Sequence, residues 1–355
     1  MGARCRGDSR RATRLAKIAA CILASVLAGF TLAARARAIG DPPGSHISLP
    51  LAPNAASYDL EQDSLGVLYV ASEEEVLVYD GVRWERVPTP GSIVARSLER
   101  GPGGQMYVGG YNHLGVIGRD SYGNFRYSDW TERLPAELRQ GFEDVWDVRA
   151  DAGAVYFRTL QQLFKFTHDG QYSGVWTTPL RFGAIEFVDG QLWLQWRGEG
   201  LKRLQGADFQ MVPGGGAFAD TLIYHLWPHP RGGQVIVSQR PQLEWLHLGK
   251  VQPIHWLPAE VPPTALSAHA SLPGGIGVSG VQDGRLVELD FLSERARISS
   301  VSNDYISGMV VSADGELWTL DDEVLTHVEI GSPWPVSYTH LRAHETKANL
   351  VCRLL

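Results

Sequence analysis

The chain has 355 residues, 44% hydrophobic and 20% charged, with a formal net charge of −7. Eight of its 32 Lys and Arg lie in residues 1–38 and three after 335, against only Asp8 and Glu345 of its 39 acids, so the body between carries 21 basic and 37 acidic side chains, about −16. That surplus excludes nucleic acid or an anionic membrane surface as partner, since both need a basic face; the three cysteines (Cys5, Cys21, Cys352) all lie outside the body, which excludes disulfide staples and thiol chemistry there.

Residues 1–38 read as a secretory signal peptide. Arg4, Arg6, Arg10, Arg11, Arg14 and Lys17 form a basic start, Ile18 to Leu32 is an apolar run, and Ala36-Arg37-Ala38 is a small-x-small cleavage site. The run is short for a membrane span, and an uncleaved signal anchor is the alternative. Residues 39–57, rich in Pro, Gly and Ser, read as a linker.

From residue 58 a pattern repeats: a polar Gly turn, then a short run carrying a large side chain. It is clearest at Asp314-Gly315-Glu316-Leu317-Trp318. Taking Tyr69, Tyr107, Tyr156, Trp193, Ile236, Val278 and Trp318 as equivalent gives steps of 38, 49, 37, 43, 42 and 40 residues. A period near forty built from short strands and Gly turns is a propeller-blade signature. The periodic aromatics Tyr69, Tyr107, Tyr156, Trp193 and Trp318 are expected in the core.

In chain order, blade one spans about Tyr58 to Pro88, with Asp80-Gly81 as a hairpin turn. Blade two starts at Val94–Leu98. An insert, Ser128–Gly141, accounts for the 49-residue step and suggests one helical turn at 134–139. Blade three uses Asp144–Val148, Val155–Arg158 and Leu163–Phe166. Blade four starts at Ala184, blade five at Ile223, blade six at Ala265 and blade seven at Ile306. Residues 58–335 are therefore expected to be all-β, a β-propeller of about seven blades. Its closure stays open, because blade seven shows no convincing outer strand.

Val336 to Leu355 resembles two pieces of a translated DNA-sequencing adapter, in order and in one frame. Residues 336–355 are read as an artefact and the gene as cut near Pro335, so His340, His344 and Glu345 are set aside.

Asn303-Asp304, the strand Ile306–Val311 and Asp314-Gly315-Glu316-Leu317-Trp318 together resemble the two-component-regulator propeller repeat. Gly109-Gly110-Tyr111-Asn112-His113-Leu114-Gly115 is similar to the early blades of those sensors. This copy departs from the repeat in placing Gly315 directly after Asp314 and in lacking a glycine after Trp318. The resemblance implies a periplasmic sensor region, and for the full-length protein an inner-membrane anchor, a cytoplasmic kinase, cyclase or DNA-binding output, and a homodimer as an open option.

Propeller ligands sit at one mouth of the ring. The loops after each second strand and before each first strand share a mouth, and they bring Tyr111, Asn112, His113, Asp144, Arg158, Arg181, Trp196, Arg197, Tyr224 and Arg240 into candidacy. Aromatics with Arg and Asn suit a small anionic or oligosaccharide ligand. Ordinary solvated loops are the alternative for each. No metal site and no cofactor is expected: Pro228 and Pro230 break any helix that would pair His225 with His229. Gly275–Gly280 fits G-x-G-x-x-G but leads into a strand. Two other functions stay open, an interaction scaffold and a stand-alone lyase or hydrolase using Glu143, Asp144 and Glu199.

Overall fold

The computed structural model describes residues 44–52 and 55–330. The expected signal peptide and the tail at 336–355 lie outside them. The described strands form seven four-stranded antiparallel sheets.

Blade one is Ser57–Gln62, Leu68–Ser72, Glu75–Tyr79 and Trp84–Pro88, from the ring axis outward. Blade two is Ala95–Arg100, Met106–Gly110, His113–Arg119 and Phe125–Asp129. Blade three is Asp147–Ala150, Val155–Arg158, Gln162–Phe166 and Tyr172–Thr177. Blades four, five and six begin at Phe182–Val188, Ile223–Pro228 and Leu266–Leu272. Blade seven is Gly308–Val311, Leu317–Leu320 and Val324–Val328.

The fourth strand of blade seven comes from the other end of the chain. Gly44–Ser48 pairs antiparallel with Val324–Val328 over five residues, from Gly44 opposite Val328 to Ser48 opposite Val324. The span 39–57, read as a linker from its Pro and Gly content, thus contains a strand. Its composition misled because an outermost strand has a solvent face and needs little apolar pattern; only Ile47 of the five is even half-buried.

Two smaller differences follow the same logic. The outer strand of blade three, Tyr172–Thr177, was not expected; Gly174 interrupts its alternation. The insert before blade three holds two short 3-10 turns, Thr131–Arg133 and Ala136–Leu138, where one helical turn was expected.

Seven hydrophobic clusters hold the ring, each joining two neighbouring blades. Val76 and Val78 of blade one meet Leu98 and Val108 of blade two. At the far end, Leu60, Val70 and Leu77 of blade one meet Val310, Leu320 and Leu325 of blade seven. A four-stranded sheet alone leaves both faces wet, so each blade depends on its neighbours.

The seven positions taken as equivalent in sequence all fall on the second strand of their blades, and six of them pack toward the following blade; in blade five Ile236 packs back against blade four, while Val235 and Val237 pack toward blade six. Facing them on the innermost strands are Glu61, Glu99, Arg149, Glu186, Leu226, Ala270 and Val310. Tyr69, Tyr107 and Tyr156 are buried as expected. Trp193 and Trp318 are only half-buried.

Candidate functional site

In blades one, two, four, five and six the innermost strand carries a register shift near its start. The shift skips Tyr58 in blade one, Arg96 in blade two and Tyr224 in blade five. A bulge leaves one residue unpaired and re-aims its side chain. Here it presents large side chains at the mouth shared by the loops after each second strand.

Two of these residues, Tyr58 and Arg96, build one cluster with the segment that leads into blade three. The Arg96 guanidinium carbon lies 4.1 Å from the centre of the Tyr58 ring and 5.4 Å from that of Trp146. Arg96 Nε donates to Asp144 Oδ1 at 2.8 Å. The Tyr58 hydroxyl donates to Glu73 at 3.5 Å. Burial raises the Tyr58 pKa, with the Arg96 charge opposing it, so the phenol stays a neutral donor. Tyr111 and Trp146 each leave more than two-fifths of their surface exposed beside this cluster. A guanidinium over two rings gains cation–π attraction, and Asp144 matches its charge. The result is a nearly neutral patch with flat apolar faces and several polar atoms.

The loop from Tyr111 to His113 is held tightly. The Tyr111 N–H donates to Val94 O at 3.2 Å, and Tyr111 forms a bridge with Asp144. Asn112 and Glu143, both at positive φ (54° and 59°), bond each other: Asn112 N–H donates to Glu143 O, and Glu143 N–H to Asn112 Oδ1, each at 2.9 Å. Gly110 is required there, since a Cβ would lie 2.1 Å from His113 Nε2 and 2.3 Å from Val94 O.

His113 has no atom left for a ligand. It is 2% exposed, with Nδ1 bonded to the Tyr127 hydroxyl at 2.8 Å and Nε2 to Val94 O at 3.0 Å. Burial lowers its pKa, so the ring is a neutral strut. Arg158 is also buried, its Nε donating to Asp147 Oδ2 at 2.5 Å. Trp196 packs edge-on against Phe182 and lies under Lys202 Nζ at 4.5 Å. Arg240 is taken by Glu244 at 2.8 Å and Asp220 at 3.0 Å. Arg197 bonds Gln239 at 3.3 Å, and Tyr224 stands 46% exposed on blade five. Arg181 lines a separate cleft between blades three and four.

Of the ten residues expected at the mouth, Tyr111, Asn112 and Asp144 therefore gather at the Arg96 cluster. Trp196, Arg197, Tyr224 and Arg240 belong to blades four and five. Tyr58, Arg96 and Trp146 were missed, because the expectation was confined to loops. The legible signal was a large side chain near the start of the inner-strand pattern in blades one, two and three.

Deeper on the inner strands is an arc of charge. Arg149 bonds Glu186 Oε2 through Nη2 at 3.1 Å and approaches Glu99 at 3.9 Å. Glu99 Oε1 accepts Ala150 N–H at 3.2 Å, and Asp59 accepts the N–H groups of Leu60 and Leu98 at 2.8 Å. Burial pushes the Asp59 carboxyl up to about 7 and the Glu99 carboxyl up to about 8, against the pull of neighbouring donors and Arg149. On blades five and six, His225 and His269 stack at 4.6 Å; burial lowers both, His225 to about 3.

No protein-family model and no curated protein sequence matches the chain. Solved structures do. A streptogramin B lyase matches with 14% identity and a TM-score of 0.62, over 81% of this chain and 98% of its own. Virginiamycin B lyase from Staphylococcus aureus matches with 11% identity and a TM-score of 0.63, over 81% and 99%. The extracellular domain of a one-component system from B. thetaiotaomicron matches with 16% identity and a TM-score of 0.62; 82% of this chain is covered, but only 40% of that one. Identities this low carry the fold and nothing finer: the chain is an all-β propeller of seven blades, of the architecture found both in extracellular domains of bacterial regulatory systems and in lyases.

Proposed function

We propose that the chain is the extracytoplasmic ligand-sensing propeller of a bacterial signal-transduction protein. In this reading it is exported to the periplasm, and the full-length protein is anchored in the inner membrane by sequence beyond this chain. The observation that carries the reading is the Tyr58–Arg96–Trp146 stack with Asp144, where three blades meet at one mouth. Its exposed rings can stack on the apolar faces of a sugar. Its matched charges offer both donors and acceptors for hydroxyls without favouring an anion. An oligosaccharide is therefore preferred over a small anion as the ligand.

The lyase or hydrolase reading has less support in the geometry. Asp144 is neutralised by Arg96, Glu199 is paired with Lys202, and Glu143 is turned toward another cleft, so no two of these acids face one another as a catalytic pair. The test is titration calorimetry of the exported chain against neutral oligosaccharides, with mass spectrometry of the recovered ligand. Saturable binding of an unaltered sugar, lost in Trp146→Ala, supports sensing. Conversion of the ligand supports the enzyme, and no heat from any sugar sinks the proposed site.

A further inference from the structure

A separate cleft lies outside the Arg96 cluster. Between blades three and four, at the same mouth, is a cleft of ≈ 350 Å³ lined by Phe142, Glu143, Thr159, Gln161, Leu180 and Arg181, among others. That volume is at the lower end of the roughly 300–1,000 Å³ typical of small-ligand pockets, so its occupant is small.

The two charges in the cleft are what set it apart. Almost every other Arg at this mouth is matched: Arg96 by Asp144, Arg158 by Asp147, Arg240 by Glu244 and Asp220. Among the described residues, neither Glu143 nor Arg181 has an ion-pair partner within 4.0 Å, and they do not pair with each other. They line one cleft without forming an ion pair across it. A ligand with a charge of each sign would span them.

The backbone at Glu143 is also fixed in place. Glu143 is held at φ 59° by its reciprocal bonds with Asn112, a backbone state that costs about 1–3 kcal/mol for a residue other than glycine and collects at functional positions.

We infer that this cleft binds a small zwitterion, an amino acid or short peptide, with its carboxylate on Arg181 and its ammonium on Glu143. A guanidinium takes a carboxylate in a two-pronged hydrogen bond, and a carboxylate takes an ammonium as a charge-assisted acceptor. Phe142, packed edge-on to Phe164 at 5.4 Å, gives the cleft a rigid wall, and Leu180 offers an apolar rim. The inference does not depend on sugar binding at the Arg96 cluster.

The test is calorimetric titration of the exported chain with the dipeptide Ala-Ala, its N-acetylated form and its C-terminal amide. The zwitterion is expected to bind at least tenfold more tightly than either blocked form. Arg181→Gln should erase the preference over the amide, and Glu143→Gln the preference over the acetylated form. Both side chains are exposed, so circular dichroism and melting temperature should not change. Trp146→Ala should bind the dipeptide as the parent does. Equal binding of all three compounds, no binding of Ala-Ala, or full selectivity in both variants overturns the assignment.

Discussion

Asn112 and Glu143, both at positive φ, clasp each other across the seam between blades two and three: Asn112 N–H donates to Glu143 O and Glu143 N–H donates to the Asn112 side-chain Oδ1, each at 2.9 Å. Asn tolerates that conformation better than most residues, because its short amide bonds locally. Asn112→Ala removes the acceptor for Glu143 N–H and places a Cβ residue in the left-handed region without that compensation. A loss of about 1–2 kcal/mol in stability follows. Urea denaturation of the variant measures it, and an unchanged midpoint would show the clasp to be idle.

Arg149 is the cation of the inner arc. Four carboxyl groups feel its charge, Glu99 and Glu186 by proximity and Glu61 and Asp59 through longer-range attraction. Removing one partner of a buried ion pair leaves the other uncompensated, a loss of about 3–5 kcal/mol. A quarter of the Arg149 side chain remains reachable by solvent, which places Arg149→Met near the bottom of that range. The predicted fall in melting temperature should shrink when Glu186→Gln is added to the same chain.

The arc also sets a pH dependence. Burial raises Asp59 from 3.8 to about 7 and Glu99 from 4.5 to about 8, so the folded state holds protons that the unfolded chain releases. Their stabilisation is complete below about pH 4 and is lost as pH rises through 7 and 8. His225 acts in the opposite direction: lowered from 6.5 to about 3, it costs stability as pH falls below 6.5. The groups facing them are Glu61, Arg149 and Glu186, with His269 beside His225. Above pH 6.5 only the acids among these shifted groups act, so the melting temperature should fall from pH 6.5 to 9. Glu99→Gln, which keeps an acceptor for Ala150 N–H, should flatten that limb. An alkaline slope identical to the parent's would rule Glu99 out as the cause.

Gly44–Ser48 covers the outer edge of blade seven through five paired residues. Deleting residues 44–48 exposes that edge and removes several ladder hydrogen bonds, each worth about 0.5–1.5 kcal/mol net, so a loss on the order of 3 kcal/mol is expected. An uncovered edge also invites pairing between chains. Light scattering during thermal unfolding should show earlier aggregation in the truncated form; coincident curves would mean the strand contributes little.

Trp146→Ala should separate binding from folding. The ring is 44% exposed, so stability should change by less than about 1 kcal/mol. Ligand affinity at the Arg96 cluster should fall about tenfold, in line with the roughly 1–2 kcal/mol of a stacking or cation–π contact. Equilibrium titration at several temperatures distinguishes the two effects.

Much of the fold was legible because its signals are local. Asp80-Gly81 and the Gly turns mark hairpins whatever surrounds them, and the step near forty counted the blades. The register then placed Tyr69, Tyr107, Tyr156 and Trp193 at one point on successive sheets. The mouth was half legible. Loop positions picked out Tyr111, Asn112, Asp144 and Arg181, while the bulges that lift Tyr58 and Arg96 out of the inner strands depend on pairing that periodicity does not report.

Turn residues and a repeated aromatic act within a few positions of the chain, so the sequence by itself determined the strand class, the blade count and the acidic body. Tertiary structure alone decided that Gly44–Ser48 is the outer strand of blade seven, some 280 residues from its partner. It also decided that His113 is a buried strut, and that Arg96 is matched while Arg181 is not. These are outcomes of packing and charge pairing between residues remote in sequence. Burial and Coulomb energy depend on distance in space, which no local pattern encodes.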